Sequence, residues 1–149
     1  MRIQEERVWA GSEASLQAAL EGEAAIATRM AAGNYDEDED EDEGPRLLEI
    51  ADGIATVTIR GSLVNSDSWM LQYFGMTGYP EIREAMMAAA ENPDVKQILL
   101  DIDSGGGAVS GVDDTAKLIR LVNDRVKPVT TYTDGTMASA AYWLGSAAG

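Results

Sequence analysis

The sequence predicts an α/β domain built on a mainly parallel sheet, and two observations carry that reading. Short β-branched runs near residues 54–59, 96–102 and 128–133 alternate with segments of helical period. A β-α-β-α-β-α order has a mainly parallel sheet with right-handed crossovers as its physical solution. In addition, the two unusual loops of the chain, Ser104 to Gly107 and Gly135 to Ser139, each follow a strand. Ligands of such sheets gather at the carboxyl ends of the strands, so the two loops are expected side by side at that end.

Each element has its own justification. Residues 12–32 are rich in Ala, Glu and Leu, with Leu16, Leu20, Ala24 and Ala27 on one helical face. The stripe is thin and Gly22 weakens it, which predicts one or two short helices within an N-terminal segment, residues 1–34. Residues 35–45 hold an unbroken acidic run with no apolar content, which predicts a disordered, solvated linker. Calcium loading and docking to a basic partner are the functional readings of the same run. Removal of residues 1–43 is accordingly expected to leave the rest folded. Residues 46–149 form the α/β domain. In "GIATVTIR" Ile54, Thr56 and Thr58 alternate with Ala55, Val57 and Ile59, the pattern of a strand with one buried side. The aromatic stretch "SDSWMLQYFGMTG" is irregular and reads equally as core packing under a loop and as a contact surface. "YPEIREAMMAAAENPD" is a helix with Pro80 in its first turn, Glu81 complementing the dipole and Asn92-Pro93 as its stop. "VKQILLDID" is a buried strand. The glycine run after it leads into a helix carrying Val109, Val112, Ala116, Ile119 and Val122 or Asn123 at helical spacing. "KPVTTYTD" and "ASAAYWLGSAA" supply a last strand and helix.

Composition narrows the chemistry. The formal charge is −15, and eight of those charges lie in the run Asp36 to Glu43, leaving −7 for the remainder. That balance opposes binding to nucleic acid, whose affinity comes from Lys and Arg displacing counterions. The chain has no cysteine and no histidine. Disulfides, thiolate sites, His-based metal centres and the Ser-His-Asp arrangement are therefore excluded. No window approaches eighteen apolar residues and the N-terminus lacks the apolar core of a secretory signal, so a soluble, cytoplasmic protein without membrane partners is expected.

The two loops define the candidate site. A glycine loop between strand and helix exposes backbone N–H groups that can hold a phosphate or an oxyanion. "GGGAVSGVDD" places Val and Asp where a P-loop needs Lys and Ser or Thr, and its glycine spacing does not fit a dinucleotide fingerprint. Oxyanion binding and a plain tight turn both remain open. Ser139, flanked by alanines at a helix start, reads either as a helix cap or as a nucleophile beside preorganised N–H donors.

Taken in order, "TVTIRGSL", "ILLDIDSGGGAVSG" and "KPVTTYTDGTMASAAYWLGSAA" resemble the S49 family of serine peptidases, over about residues 50–149. "ASAAYWLGSAA" is similar to the phage head-maturation branch of that family, as distinct from its membrane-anchored signal peptide peptidase A branch. The resemblance implies a ClpP/crotonase-like fold, a Ser–Lys dyad with Ser139 as nucleophile, and oxyanion donors at Gly106 or Gly107 together with the backbone around Ser139 and Ala140. It implies endoproteolysis of scaffold and capsid-associated proteins in the host cytoplasm or procapsid interior, by a homo-oligomer needing no cofactor or metal. The chain departs from the family at Ser104-Gly105-Gly106-Gly107, where Ser-Pro-Gly-Gly is usual. Loss of the proline is expected to loosen the loop without removing its N–H groups.

The base is the awkward element. A histidine-free serine peptidase of this kind uses a lysine whose pKa is lowered by desolvation. Only Lys96, Lys117 and Lys127 are present, all upstream of Ser139. The first and last begin strands, at the end opposite the loops, and Lys117 is mid-helix. In the family the base lies well downstream of the serine, so the chain reads as a peptidase cut short after its nucleophile. A non-catalytic scaffold module is the competing expectation, and a crotonase-type acyl-CoA enzyme, which would leave Ser139 without a role, is a third.

Overall fold

A computed structural model of the chain describes residues 8–33 and 45–149. The acidic run and its linker and calcium readings lie outside the described residues.

The principal sheet has four strands in the order β2-β3-β6-β8, formed by Leu48–Ala51, Ile54–Arg60, Gln97–Asp103 and Val129–Tyr132. β3, β6 and β8 are parallel, as expected. β2 adds an antiparallel edge through a two-residue hairpin whose loop residues Asp52 and Gly53 have φ of 52° and 79°. Positive φ at both central residues is the type I′ turn that matches strand twist, and an Asp-Gly pair supplies it. Ala55, Val57 and Ile59 of β3 stand in register with Ile98, Leu100 and Ile102 of β6, and all six are buried.

Two helices cover this sheet, α2 at Tyr79–Glu91 and α3 at Val112–Arg125. α2 starts as the sequence predicts. Pro80 sits in the first turn and the Glu81 carboxylate accepts from the Gly78 N–H at 3.0 Å. Ile82, Ala85, Met86 and Ala89 of α2 and Val112, Ala116, Ile119 and Val122 of α3 join the strand residues in one core. The Ile, Met and Val side chains among these stabilise by about 1.5–3 kcal/mol each when fully buried.

A second, smaller sheet was not expected. Its order is β1-β7-β4-β5, formed by Trp9–Gly11, Gly106–Ala108, Ser62–Val64 and Met76–Gly78. The chain passes from β3 to β4 at Gly61, where φ is +67° and a Cβ would overlap the Gly75 backbone. The aromatic stretch forms a 3₁₀ helix, Trp69–Phe74, that buries Met70 and Leu71 and leaves Tyr73 exposed, so it serves packing and surface together.

The N-terminal segment departs most from expectation. It contains β1 and a single helix, α1, Glu13–Ala31, capped by the Ser12 hydroxyl accepting from the Ser15 N–H at 3.1 Å. Gly22 does not break α1. Its missing side chain admits Met76, whose Cε would lie 2.7 Å from a Cβ there. Ala19 packs with Val64, Leu71 and Met76 in a second apolar cluster, and the Ser62 hydroxyl donates to the buried Ser15 carbonyl at 2.6 Å. α1 therefore packs on the rest of the described chain, and removal of residues 1–43 is expected to cost stability, which thermal unfolding of the trimmed and full chains would measure.

Candidate active site

The site lies where β6 and β8 end. Beyond β6, Ser104 pairs with Met137 in a parallel bridge; the Ser104 N–H donates to the Thr136 carbonyl at 2.7 Å and the Ala138 N–H to the Ser104 carbonyl at 3.1 Å. Asp103 accepts from the Thr136 N–H at 2.9 Å. These bonds continue the ladder of the sheet past its last strand and hold the two loops side by side.

The glycine loop is fixed by its neighbours. The buried Ser104 hydroxyl donates to the Gly61 carbonyl at 2.6 Å and accepts from the Gly106 N–H at 3.2 Å. The Ser12 N–H donates to the Gly105 carbonyl at 3.1 Å. A loop expected to be loosened by loss of a proline is thus tied at three successive residues. Gly106 has φ +101°, and a Cβ there would lie 2.8 Å from the Gly11 Cα, 2.9 Å from the Ser139 Cβ and in collision with the Ala10 carbonyl oxygen. Gly107 packs against the Leu63 backbone so closely that any side chain would overlap it. Glycine is required at both positions by close approach of other chain segments.

Ser139 occupies the turn before α4, Ala140–Gly145. Its backbone has φ 54° and ψ −120°, a region costing about 1–3 kcal/mol for a residue with a side chain. Its hydroxyl makes no capping hydrogen bond, and the residue is exposed. The cap reading of Ser139 is thereby removed: a cap takes extended backbone and bonds an N–H of the first turn, and Ser139 does neither. α4 has only six residues, so electrostatic help at this end comes from individual N–H groups more than from a helix dipole. The Ala140 N–H has no hydrogen-bond partner among the described residues.

The three lysines lie elsewhere. Lys127 Nζ donates to the carbonyls of Ala89 and Asn92 at 2.9 and 2.5 Å, at the end of the sheet opposite Ser139. Lys96 precedes β6 and is exposed. Lys117 pairs with Asp113 at 2.5 Å on the outer face of α3. The hydrogen bond it donates to Asp113, with that carboxylate's charge, raises its pKa above the ordinary lysine value, the opposite of what a general base needs. None of the three is a neighbour of Ser139.

Two contributors were missed at the sequence level. In the sequence Ser104 reads only as part of the glycine loop, although its hydroxyl organises that loop. β1 was missed because three residues carry no readable period, and its pairing with β7 brings residues 95–99 positions away in sequence to the site.

No protein-family model matches the chain. Capsid assembly protease C of Escherichia phage lambda is 37% identical over 132 residues, covering 87% of this chain and 28% of that protein. Head-tail preconnector protein GP5 of Enterobacteria phage P21 is 37% identical over 102 residues, covering 68% of this chain and 20% of that protein. The chain is thus similar to a phage capsid assembly protease and to a phage head-tail preconnector protein. It spans less than a third of the length of either relative. Among solved structures, an enoyl-CoA hydratase/isomerase family member matches with a TM-score of 0.50 at 22% identity, covering 68% of this chain and 43% of that one. An enoyl-CoA hydratase from Mycobacterium avium subsp. paratuberculosis K-10 matches with a TM-score of 0.50 at 21% identity, covering 68% and 41%. The fold is ClpP/crotonase-like, as the family resemblance implies, and at this identity the structural likeness concerns fold alone. Among the described residues no helix is long and apolar enough to cross a membrane.

Proposed function

We propose that this chain supplies the nucleophile and oxyanion half of a serine endopeptidase of S49 type, acting on scaffold or capsid proteins during phage capsid assembly. The backbone of Ser139 is the observation that carries the reading. A serine held at φ 54°, ψ −120° with an exposed, uncapped hydroxyl bears a conformational cost with no packing return, and such strain gathers at functional sites. A nucleophilic serine on a strained strand-to-helix turn is its best-known chemical use. The similarity to capsid assembly protease C supports the same class of activity.

In this reading the Ser139 hydroxyl attacks the scissile carbonyl carbon, and its proton passes to a neutral lysine amine. The N–H groups of Gly107 and Ala140 hold the resulting oxyanion. The Gly106 N–H serves the Ser104 hydroxyl and acts as a strut of the loop. Collapse of the tetrahedral species expels the amine of the leaving peptide, which takes the proton, and water then hydrolyses the acyl-serine by the same path. The base is a lysine that these 149 residues do not bring to the site. The oligomer expected for the family is part of the proposal.

The test compares the 149-residue chain with the chain extended past Gly149 along its reading frame, each incubated with an unfolded protein. Cleavage by the extended chain alone is the expected result, because an unassisted serine hydroxyl is a poor nucleophile at neutral pH. Equal, Ser139-dependent cleavage by the short chain would instead place the base among Lys96, Lys117 and Lys127. No cleavage by either form would favour a non-catalytic scaffold.

A further inference from the structure

We propose that β1 is a resident pseudosubstrate: the Val8–Gly11 segment occupies the edge of β7 onto which an extended polypeptide substrate adds as a strand, and must leave before one can dock. The catalytic meaning of this inference rests on the peptidase reading above; the docking itself does not.

The sheet order is the first support. β7 has β4 on one side and β1 on the other, and β1 is the outermost strand. Without β1, β7 would present a row of free N–H and C=O groups directly beside Ser139. Such an edge accepts extended peptides through main-chain hydrogen bonds, with little regard to side chains. That suits a site acting on unfolded segments of several proteins.

Register is the second. β1 runs antiparallel to β7 with Trp9 opposite Ala108, Ala10 opposite Gly107 and Gly11 opposite Gly106. The Val109 N–H donates to the Val8 carbonyl at 3.3 Å and the Ser12 N–H to the Gly105 carbonyl at 3.1 Å. In an antiparallel ladder hydrogen-bonded pairs alternate, so the Ala10–Gly107 pair midway between these two is also a bonded one. The Gly107 N–H, the proposed oxyanion donor, therefore faces the Ala10 carbonyl. The same carbonyl oxygen, the Gly11 Cα and the Ser139 Cβ converge on the open side of Gly106. A backbone carbonyl offered to an oxyanion donor beside the nucleophile, on an extended strand of fixed direction, is the arrangement a scissile peptide would need. The Ala10–Gly11 peptide already holds it.

The third support is that β1 can exchange. It is three residues long, Trp9, Ala10 and Gly11 are only half-buried, and Val8 is 59% exposed. The cap of α1 is made by Ser12, outside β1, so release of β1 takes from α1 the bond that Trp9 Nε1 donates to the Ser15 hydroxyl at 3.2 Å and the packing of the half-buried Trp9 ring, and leaves the cap in place. Attachment through Ser12 gives β1 an effective concentration on the order of millimolar, enough to hold the edge against dilute peptide and yield to a tethered or concentrated substrate.

The experiment is binding of a fluorescein-labelled peptide of residues 6–13 to the 149-residue chain, followed by anisotropy. Wild type is expected to bind at least about tenfold more weakly than chains whose own β1 is dislodged. Two substitutions dislodge it by different means. Ala10→Pro deletes the N–H of the central pair. Gly11→Ala brings a methyl within 2.5 Å of the Ser15 hydroxyl and 2.9 Å of the Gly107 nitrogen. Circular dichroism identifies whichever variant keeps the wild-type fold. Hydrogen exchange of wild type, which needs no variant, is read beside it: excess peptide should slow exchange at the Gly107 and Val109 amides. Equal peptide affinity for wild type and a folded variant overturns the proposal, as does unchanged exchange at both amides under saturating peptide. Peptide binding to the opened edge in a protein whose extended form fails to cleave would overturn the peptidase reading and leave the docking edge standing.

Discussion

Replacing Ser139 with alanine in the extended polypeptide is expected to lower turnover by about 10⁵–10⁶, the loss typical of deleting a serine nucleophile, while substrate binding stays within about twofold. Loss of activity alone would not separate a nucleophile from a structural serine, so stability is measured beside it. Alanine at φ 54° carries the same backbone cost as serine, whereas glycine adopts that region freely. Ser139→Gly should therefore be as inactive as Ser139→Ala yet at least as stable, despite the greater entropy that glycine loses on folding. Chemical denaturation of both variants checks this. If Ser139→Gly is clearly the less stable of the two, Ser139 is not held under strain, and the observation that carries the proposed function falls with it.

The second large effect is expected at Gly107. A methyl there would overlap the backbone of Leu63, which cannot swing aside as the end of a flexible side chain could. Overpacking of that kind costs about 3 kcal/mol. Gly107→Ala should lower the unfolding free energy by that amount and, in the extended enzyme, displace the proposed oxyanion donor and reduce the rate by a further 10²–10³ or so. Gly33→Ala is the matched control, because Gly33 has φ +68° but nothing within 4 Å of an added Cβ, so only the left-handed backbone cost of about 1–2 kcal/mol applies. Urea denaturation of the two variants distinguishes them. Equal losses would mean that the approach of Leu63 to Gly107 relaxes without cost.

What the sequence made legible was local. The alternation in β3, the start and stop signals of α2 and the buried face of α3 each sit within one short window and appear where the pattern places them, apart from Val109, which precedes the first residue of α3. The pairing of the two loops was also legible, since consecutive parallel strands fix which ends lie together. Elements that depend on distant partners were not. β7 is three residues long and two of them are glycine; only Leu63 on one side and Ala10 on the other make it a strand. Gly22 reads as a weak point of the helical stripe because propensity does not record that Met76 fills the space beside it. The Asp52-Gly53 pair did carry a hairpin signal, and β2 could have been inferred from it. At the candidate site, Ser139 and the glycine loop were nameable from residue type and spacing. The strain at Ser139, the use of the Gly106 N–H by Ser104 and the presence of β1 on the loop are properties of backbone geometry, which no residue type declares.

The most direct measurement of the central claim is covalent trapping. The extended polypeptide is treated with a fluorophosphonate and digested, and the modified residue is located by tandem mass spectrometry. Stoichiometric labelling at Ser139, lost in Ser139→Ala and slowed about 10²–10³-fold in Gly107→Ala, is the result this account predicts. An extended polypeptide that cleaves protein while Ser139 stays unlabelled, or that labels at another serine, would contradict it.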